Sequence, residues 1–123
     1  MDTTFSAEDL QFQKEVKDFI ASNYPQSLRD SVNTKRQKGK ELVREDFTAW
    51  HKILGKKDGW SAPGWPKKFG GAEFTPTQKY IFEQECAKAD CQYIIPFGIN
   101  MCGPVIYTFG NDEQKAQHLP GIV

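Results

Sequence analysis

The chain has 123 residues with 16 Lys+Arg against 16 Asp+Glu and 38% hydrophobic residues, a size that accommodates one small domain. Zero formal net charge lacks the basic excess that a nucleic-acid binder concentrates on its surface, so no nucleic-acid partner is expected. Leu, Ile, Val and Phe make up 27 of the 123 residues, only modestly above the level at which charged chains fail to collapse, so the core is expected to be lean.

The start, Met1-Asp2-Thr3-Thr4, has no basic region ahead of an apolar run and does not resemble a signal peptide. A reducing, cytoplasmic setting is expected. Cys86, Cys91 and Cys102 are odd in number, without a CxxC pair, and only His51 and His118 could join them. They read as three small buried or half-buried thiols, with no metal site.

Ser6, with Asp9 three residues on, caps a first helix carrying Phe12, Val16, Phe19 and Ile20 at i, i+4, i+7 and i+8. Pro25 stops it. Gln26 to about Arg36 reads as a second, poorly apolar helix resting on Leu28 and Val32, before the polar connection Gln37-Lys38-Gly39-Lys40. Phe47, Trp50, Ile53 and Leu54 define a third helix, ended at Gly55. From Lys56 to Phe74 the periodicity disappears, but Trp60, Trp65 and Phe69 carry apolar faces that are stable only when packed, so this loop is expected to be ordered.

Thr75 as N-cap, Pro76 at N1 and Gln78 at N3 mark a fourth helix running to about Asp90. From Cys91 to Gly110 no residue is charged, and Pro and Gly interrupt a segment rich in Ile, Phe, Met and Val. The interruptions, with Gln92 and Asn100, argue against membrane insertion. A helix apolar on every face must be covered, and in so small a chain the cover has to include atoms from elsewhere. Asn111-Asp112-Glu113-Gln114 caps a sixth helix ending at Leu119-Pro120-Gly121. No segment alternates apolar and polar residues over a strand's length, so the fold class is all-α. The expected architecture is an orthogonal or antiparallel bundle of about six helices with a long ordered Trp/Gly/Pro loop. The helices flanking Cys91 to Ile94 are expected to pack antiparallel.

No phosphate loop, GxSxG or HExxH pattern occurs. Glu83 and Glu85, two apart on a helix, face different ways and read as surface charges, and His118 reads as a helix-terminal cation. Lys35, Arg36, Lys38 and Lys40 read as a solvated face. The residues alone thus offer an apolar helix that needs a cover and no catalytic group.

Several strings in order resemble the N-terminal helical domain of the acyl-CoA dehydrogenases: Trp50 followed by Gly59-Trp60, Ala62-Pro63-Gly64-Trp65-Pro66-Lys67-Lys68-Phe69-Gly70-Gly71, Gln78 with Glu85, Gly103-Pro104-Val105-Ile106, and Gly110-Asn111-Asp112-Glu113-Gln114-Lys115 with Leu119-Pro120. The resemblance implies a parent enzyme that oxidises an acyl-CoA thioester to its α,β-enoyl form. In that family FAD takes the hydride from Cβ, a glutamate removes the α-proton, and an electron-transfer flavoprotein reoxidises the flavin. Members have helical, β and helical domains in turn and form homo-oligomers.

By this resemblance residues 1–123 are a single N-terminal domain, with the middle β and C-terminal helical domains absent. Catalytic and flavin-binding residues are then expected outside the chain, leaving it inactive alone and without bound FAD. The acyl pocket maps by position onto Phe97, Asn100, Met101 and Pro104. Pro96-Phe97 departs from the simplest straight-chain members. The alternative is a non-enzymatic helical interaction or dimerisation module, docking through Cys91 to Gly110.

Overall fold

The computed structural model describes residues 4–123; Met1 to Thr3, at the start read as unlike a signal peptide, lie outside the described residues. Six α-helices follow one another: α1 (Ala7–Asn23), α2 (Gln26–Gln37), α3 (Arg44–Gly55), α4 (Pro76–Lys88), α5 (Gly103–Phe109) and α6 (Asp112–His118). Among the described residues there is no strand, and no helix is long and apolar enough to cross a membrane.

Local chemistry sets the helix starts. Asp9 N–H donates to Ser6 Oγ at 3.1 Å and Ser6 N–H donates back to Asp9 Oδ2 at 3.3 Å, so two backbone donors are satisfied at once. The same reciprocal pair joins Thr75 with Gln78 and Asn111 with Gln114. At α3 the device is one-sided, with Val43 N–H donating to Asp46 Oδ2 at 2.8 Å.

Asp46 is buried and takes both carboxylate bonds, at 2.6 and 2.8 Å, from Lys35 Nζ on α2. These bonds, then the Val43 N–H, hold its carboxyl below the ordinary value. A carboxyl depressed on folding stabilises the fold at pH values above its unfolded pKa, and loses that contribution as pH falls through the lower folded value. Asp46→Asn is therefore expected to lower the melting temperature at neutral pH and to flatten its decline from about pH 5 downward. Circular dichroism melts across that range check this, and an unchanged acid limb would contradict it.

The core forms two clusters. In the first, α4 packs on α1 and Val16, Ile20, Trp50, Leu54, Trp60 and Phe82 are buried together. Trp60 is the hub: its ring centroid lies 5.0 Å from Phe19, 5.7 Å from both Phe74 and Phe82, and 6.0 Å from Phe12. The Trp/Gly/Pro loop is ordered, as its composition implied, because it closes on its own backbone. Ala72 N–H donates to Ala62 O at 3.2 Å, Glu73 N–H to Trp65 O at 3.0 Å and Phe74 N–H to Pro63 O at 2.8 Å. Gly59 has φ +78° and passes so close to Gly71 that a Cβ would lie 2.5 Å from its carbonyl carbon. No other residue type fits there without strain.

The second cluster joins Ala62, Trp65, Ile99 and Leu119. It depends on a widened turn, Phe97–Cys102, with π-helical winding. Gly103 N–H bonds to Gly98 O, five residues back, where α-helical winding would give it the Ile99 carbonyl. Ile99 O is thereby released and accepts the Trp65 indole N–H at 2.7 Å. The two helices flanking Cys91 to Ile94 do not close on each other as expected. α4 rests on α1, and a cleft separates it from the 96–107 segment.

Candidate functional site

The cleft has a volume of about 590 Å³, within the usual range for small-molecule sites. One wall is α4, through Lys79, Phe82, Glu83, Cys86 and Ala87. The floor is the tryptophan loop, through Ser61, Pro63 and Trp65. The opposite wall is Pro96, Ile99, Asn100, Pro104 and Tyr107. These last residues recur at near-helical spacing, so one face of the uncharged segment is turned into the cleft.

The outer face carries Phe97, Met101, Val105 and Phe109, four apart, all exposed. Phe97 is 68% and Phe109 83% accessible, which makes an apolar stripe that this chain does not cover. The uncharged segment therefore has two apolar faces, one lining a cleft and one bare.

The four residues expected in the pocket divide between these faces. Asn100 and Pro104 line the cleft; Phe97 and Met101 lie on the bare stripe. Pro96, Ile99 and Tyr107, at i−4, i−1 and i+7 from Asn100, also line the cleft and were not among the four expected pocket residues. Contributions from α4 and the loop had no sequence signal, because only the tertiary arrangement brings them opposite.

The cleft lining is mixed, with Ser61, Lys79, Glu83, Gln92 and Asn100 among its polar residues. Ser61 Oγ and Gln92 Nε2 are buried without a hydrogen-bond partner among the described residues, where buried polar atoms ordinarily find one. Lys79 and Glu83 are exposed charges among the lining residues.

Three expectations for single residues need correction. Glu85 is buried, not a surface charge. Burial acts to raise its carboxyl pKa, but hydrogen bonds from Gln13 Nε2 at 2.8 Å and Lys88 Nζ at 3.1 Å prevail and the net displacement is downward. Cys102 is exposed, neither buried nor half-buried. Lys35 is half-buried against Asp46, whereas Arg36, Lys38 and Lys40 are exposed as expected, Arg36 also reaching Asp90 and Gln92. Among the described residues, no three His, Cys, Asp or Glu side chains are placed to share a metal ion.

Residues 6–123 match the family model described as acyl-CoA dehydrogenase, N-terminal domain. The chain belongs to that family. Among relatives, it is similar to acyl-CoA dehydrogenase FadE26 of Mycobacterium tuberculosis, with 29% identity over 99% of this chain and 30% of that protein. Acyl-CoA dehydrogenase FadE29 of the same organism is 36% identical over 54% of this chain and 17% of its own length. The crystal structure of the ChsE4-ChsE5 complex from M. tuberculosis superposes with a TM-score of 0.76 at 26% identity, covering 99% of this chain and 29% of the matched one. The chain thus spans about three tenths of the length of FadE26 and of that solved chain.

As an acyl-CoA dehydrogenase N-terminal domain, the chain brings to its family a helical scaffold whose uncharged segment presents two contrasting faces.

Proposed function

We propose that this domain forms one wall of the acyl pocket of an FAD-dependent enzyme that dehydrogenates an acyl-CoA thioester between Cα and Cβ, and that it is inactive by itself. The observation that carries this reading is the cleft of about 590 Å³ between α4 and the Pro96 to Tyr107 face, joined to the family membership. An apolar, water-excluding wall orients an acyl chain by burying it, and hydrocarbon burial supplies about 0.8 kcal/mol per CH₂. Asn100 amide, Ser61 Oγ and Gln92 Nε2 would supply the polar contacts.

The residues in the cleft do not fit FAD. Among the described residues its lining offers a single cation, Lys79, offset by the carboxylate of Glu83, too little positive charge for a pyrophosphate. The flavin and the catalytic glutamate are assigned to the remainder of the enzyme. The bare Phe97, Met101, Val105, Phe109 stripe is assigned to contact with that remainder. A homo-oligomer in the cytoplasm, with acyl-CoA as substrate and an electron-transfer flavoprotein as partner, completes the proposal.

The test uses the full-length protein. It is expected to reduce an electron acceptor on addition of acyl-CoA. Asn100→Trp, which adds bulk to the cleft from an exposed position, is expected to raise KM for bulky acyl groups by about tenfold, equivalent to about 1.4 kcal/mol, with the melting temperature unchanged. Absence of acyl-CoA oxidation in the unsubstituted protein would defeat the proposal and leave the interaction-module alternative, which the bare stripe favours. An unaltered KM in Asn100→Trp would remove the pocket assignment alone.

A further inference from the structure

The C-terminal end of α4 is closed by two backbone hydrogen bonds, Asp90 N–H to Ala87 O at 3.1 Å and Cys91 N–H to Cys86 O at 2.9 Å. Asp90 itself has φ +54°. This pairing of a six-to-one with a five-to-two bond around a left-handed residue is a helix-ending motif in which the first and sixth side chains come into contact. In most helices that contact is made by two hydrophobic residues. Here both are cysteines.

Both thiols are half-buried and both line the cleft, so they meet at a wall that small molecules can reach. The interaction with Cys86 is the main influence holding the Cys91 thiol below its ordinary pKa, aided by the Arg29 guanidinium and opposed by burial and Asp90. The same interaction, with burial and the nearby Glu83 and Glu85, pushes Cys86 upward. Tyr24 at the end of α1 is the other titratable group facing the pair, and burial keeps its phenol protonated.

Arg29 adds a second geometric observation. Its Nη1 donates to the Ala89 carbonyl in the same turn, and its Nε is buried without a partner among the described residues. A buried guanidinium nitrogen left open beside a thiol suits a thiolate. The pair is therefore asymmetric: Cys91 is the attacking sulfur and Cys86 holds the proton. Cys102 is exposed on another part of the fold and has no such setting.

We propose that Cys86 and Cys91 are a reversible dithiol/disulfide pair in the cleft wall, oxidised by a hydroperoxide. The Cys91 thiolate attacks the terminal peroxide oxygen; the O–O bond breaks, a Cys91 sulfenic acid forms, and the leaving alkoxide or hydroxide takes up a proton. Cys86 sulfur then attacks Cys91 sulfur, the S–O bond breaks, and the departing hydroxide carries off the Cys86 proton as water. Two thiols are oxidised to one disulfide, and the hydroperoxide is reduced to an alcohol, or to water if it is hydrogen peroxide, with one further water released. The bridge ties the end of α4 to the connection that leads into the Pro96 face, so the oxidation state is coupled to the shape of the cleft. The inference does not depend on which molecule the cleft holds.

The test is a thiol inventory of the folded chain exposed to hydrogen peroxide, then alkylated after unfolding. Two of the three thiols are expected to disappear, the mass is expected to fall by two hydrogens, and dithiothreitol should restore both. Trypsin cuts after Lys88, between the two cysteines, so the flanking peptides stay joined only if the bridge has formed. Cys86→Ser is expected to stop at a sulfenic acid on Cys91 that dimedone captures, and Cys91→Ser to lose the rapid reaction. Alkylation of all three cysteines after oxidation, dimers joined through Cys102, or equal oxidation rates at all three positions would each overturn the proposal.

Discussion

Gly103→Ala is expected to destabilise the domain by about 3 kcal/mol, at the top of the usual range for overpacking. Its Cβ would stand 1.9 Å from Trp65 Cζ2 and 2.3 Å from Cη2, distances no packed pair of carbons tolerates. The indole cannot simply swing away. It is held by its bond to Ile99 O, by an edge contact with Tyr107 at 5.4 Å and by burial within the second core cluster. Moving it would leave a buried carbonyl without its donor, at a further cost of about 1–3 kcal/mol. Because Trp65 floors the cleft, the same substitution is expected to alter the cleft as well as the melting temperature, which should fall by roughly 10 °C. Gly121→Ala, where a Cβ would meet nothing within 4 Å, is the matched control and should stay within about 0.5 kcal/mol of the parent sequence. Equal melting temperatures for the two variants would show that the indole does not rest on Gly103.

Trp60→Ala is expected to cost about 3–5 kcal/mol, the range for deleting a large aromatic side chain from a core. The ring is 4% exposed and touches four aromatic neighbours from α1, α4 and the loop itself, with Lys57 Nζ 5.2 Å above it. Such a site collapses poorly, since its neighbours are anchored in three separate segments. Against a typical total of about 5–15 kcal/mol, the loss removes a large share of the stability of a domain with a lean core. Urea titration should show a lowered midpoint at unchanged m value, the sign of a native-state loss. A midpoint within the error of the parent would mean the ring is solvent-facing.

The helix boundaries were legible because their causes are local. Ser6, Thr75 and Asn111 each satisfy backbone donors within three residues, and Pro25 fits neither α1 nor the interior of α2, so it separates them. Order in the tryptophan loop was legible from composition alone, since rings of that size are unfavourable in water. The need for an external cover on the uncharged segment was also legible. Its division into a cleft face and a bare face was available in principle from the four-residue spacing of Phe97, Met101, Val105 and Phe109. The expectation for the pocket grouped Phe97 and Met101 with Asn100 and Pro104 because resemblance assigns positions in a line, while a helix separates them by angle.

Other features have causes that lie far apart along the chain. Glu85 is buried because Gln13, 72 residues earlier, reaches it, and no window around Glu85 contains that fact. The widened turn at Phe97–Cys102 depends on an indole 34 residues away accepting the role of donor to Ile99 O.

The linear chain thus determined where helices begin and stop, that the loop would be packed, and which family the protein joins, because caps, prolines, aromatic size and motif order act over short range. The tertiary structure alone decided which face of the uncharged segment meets the cleft and which charges are buried. Those outcomes depend on the angles at which separate helices meet, and such angles are set by side-chain packing across the whole core.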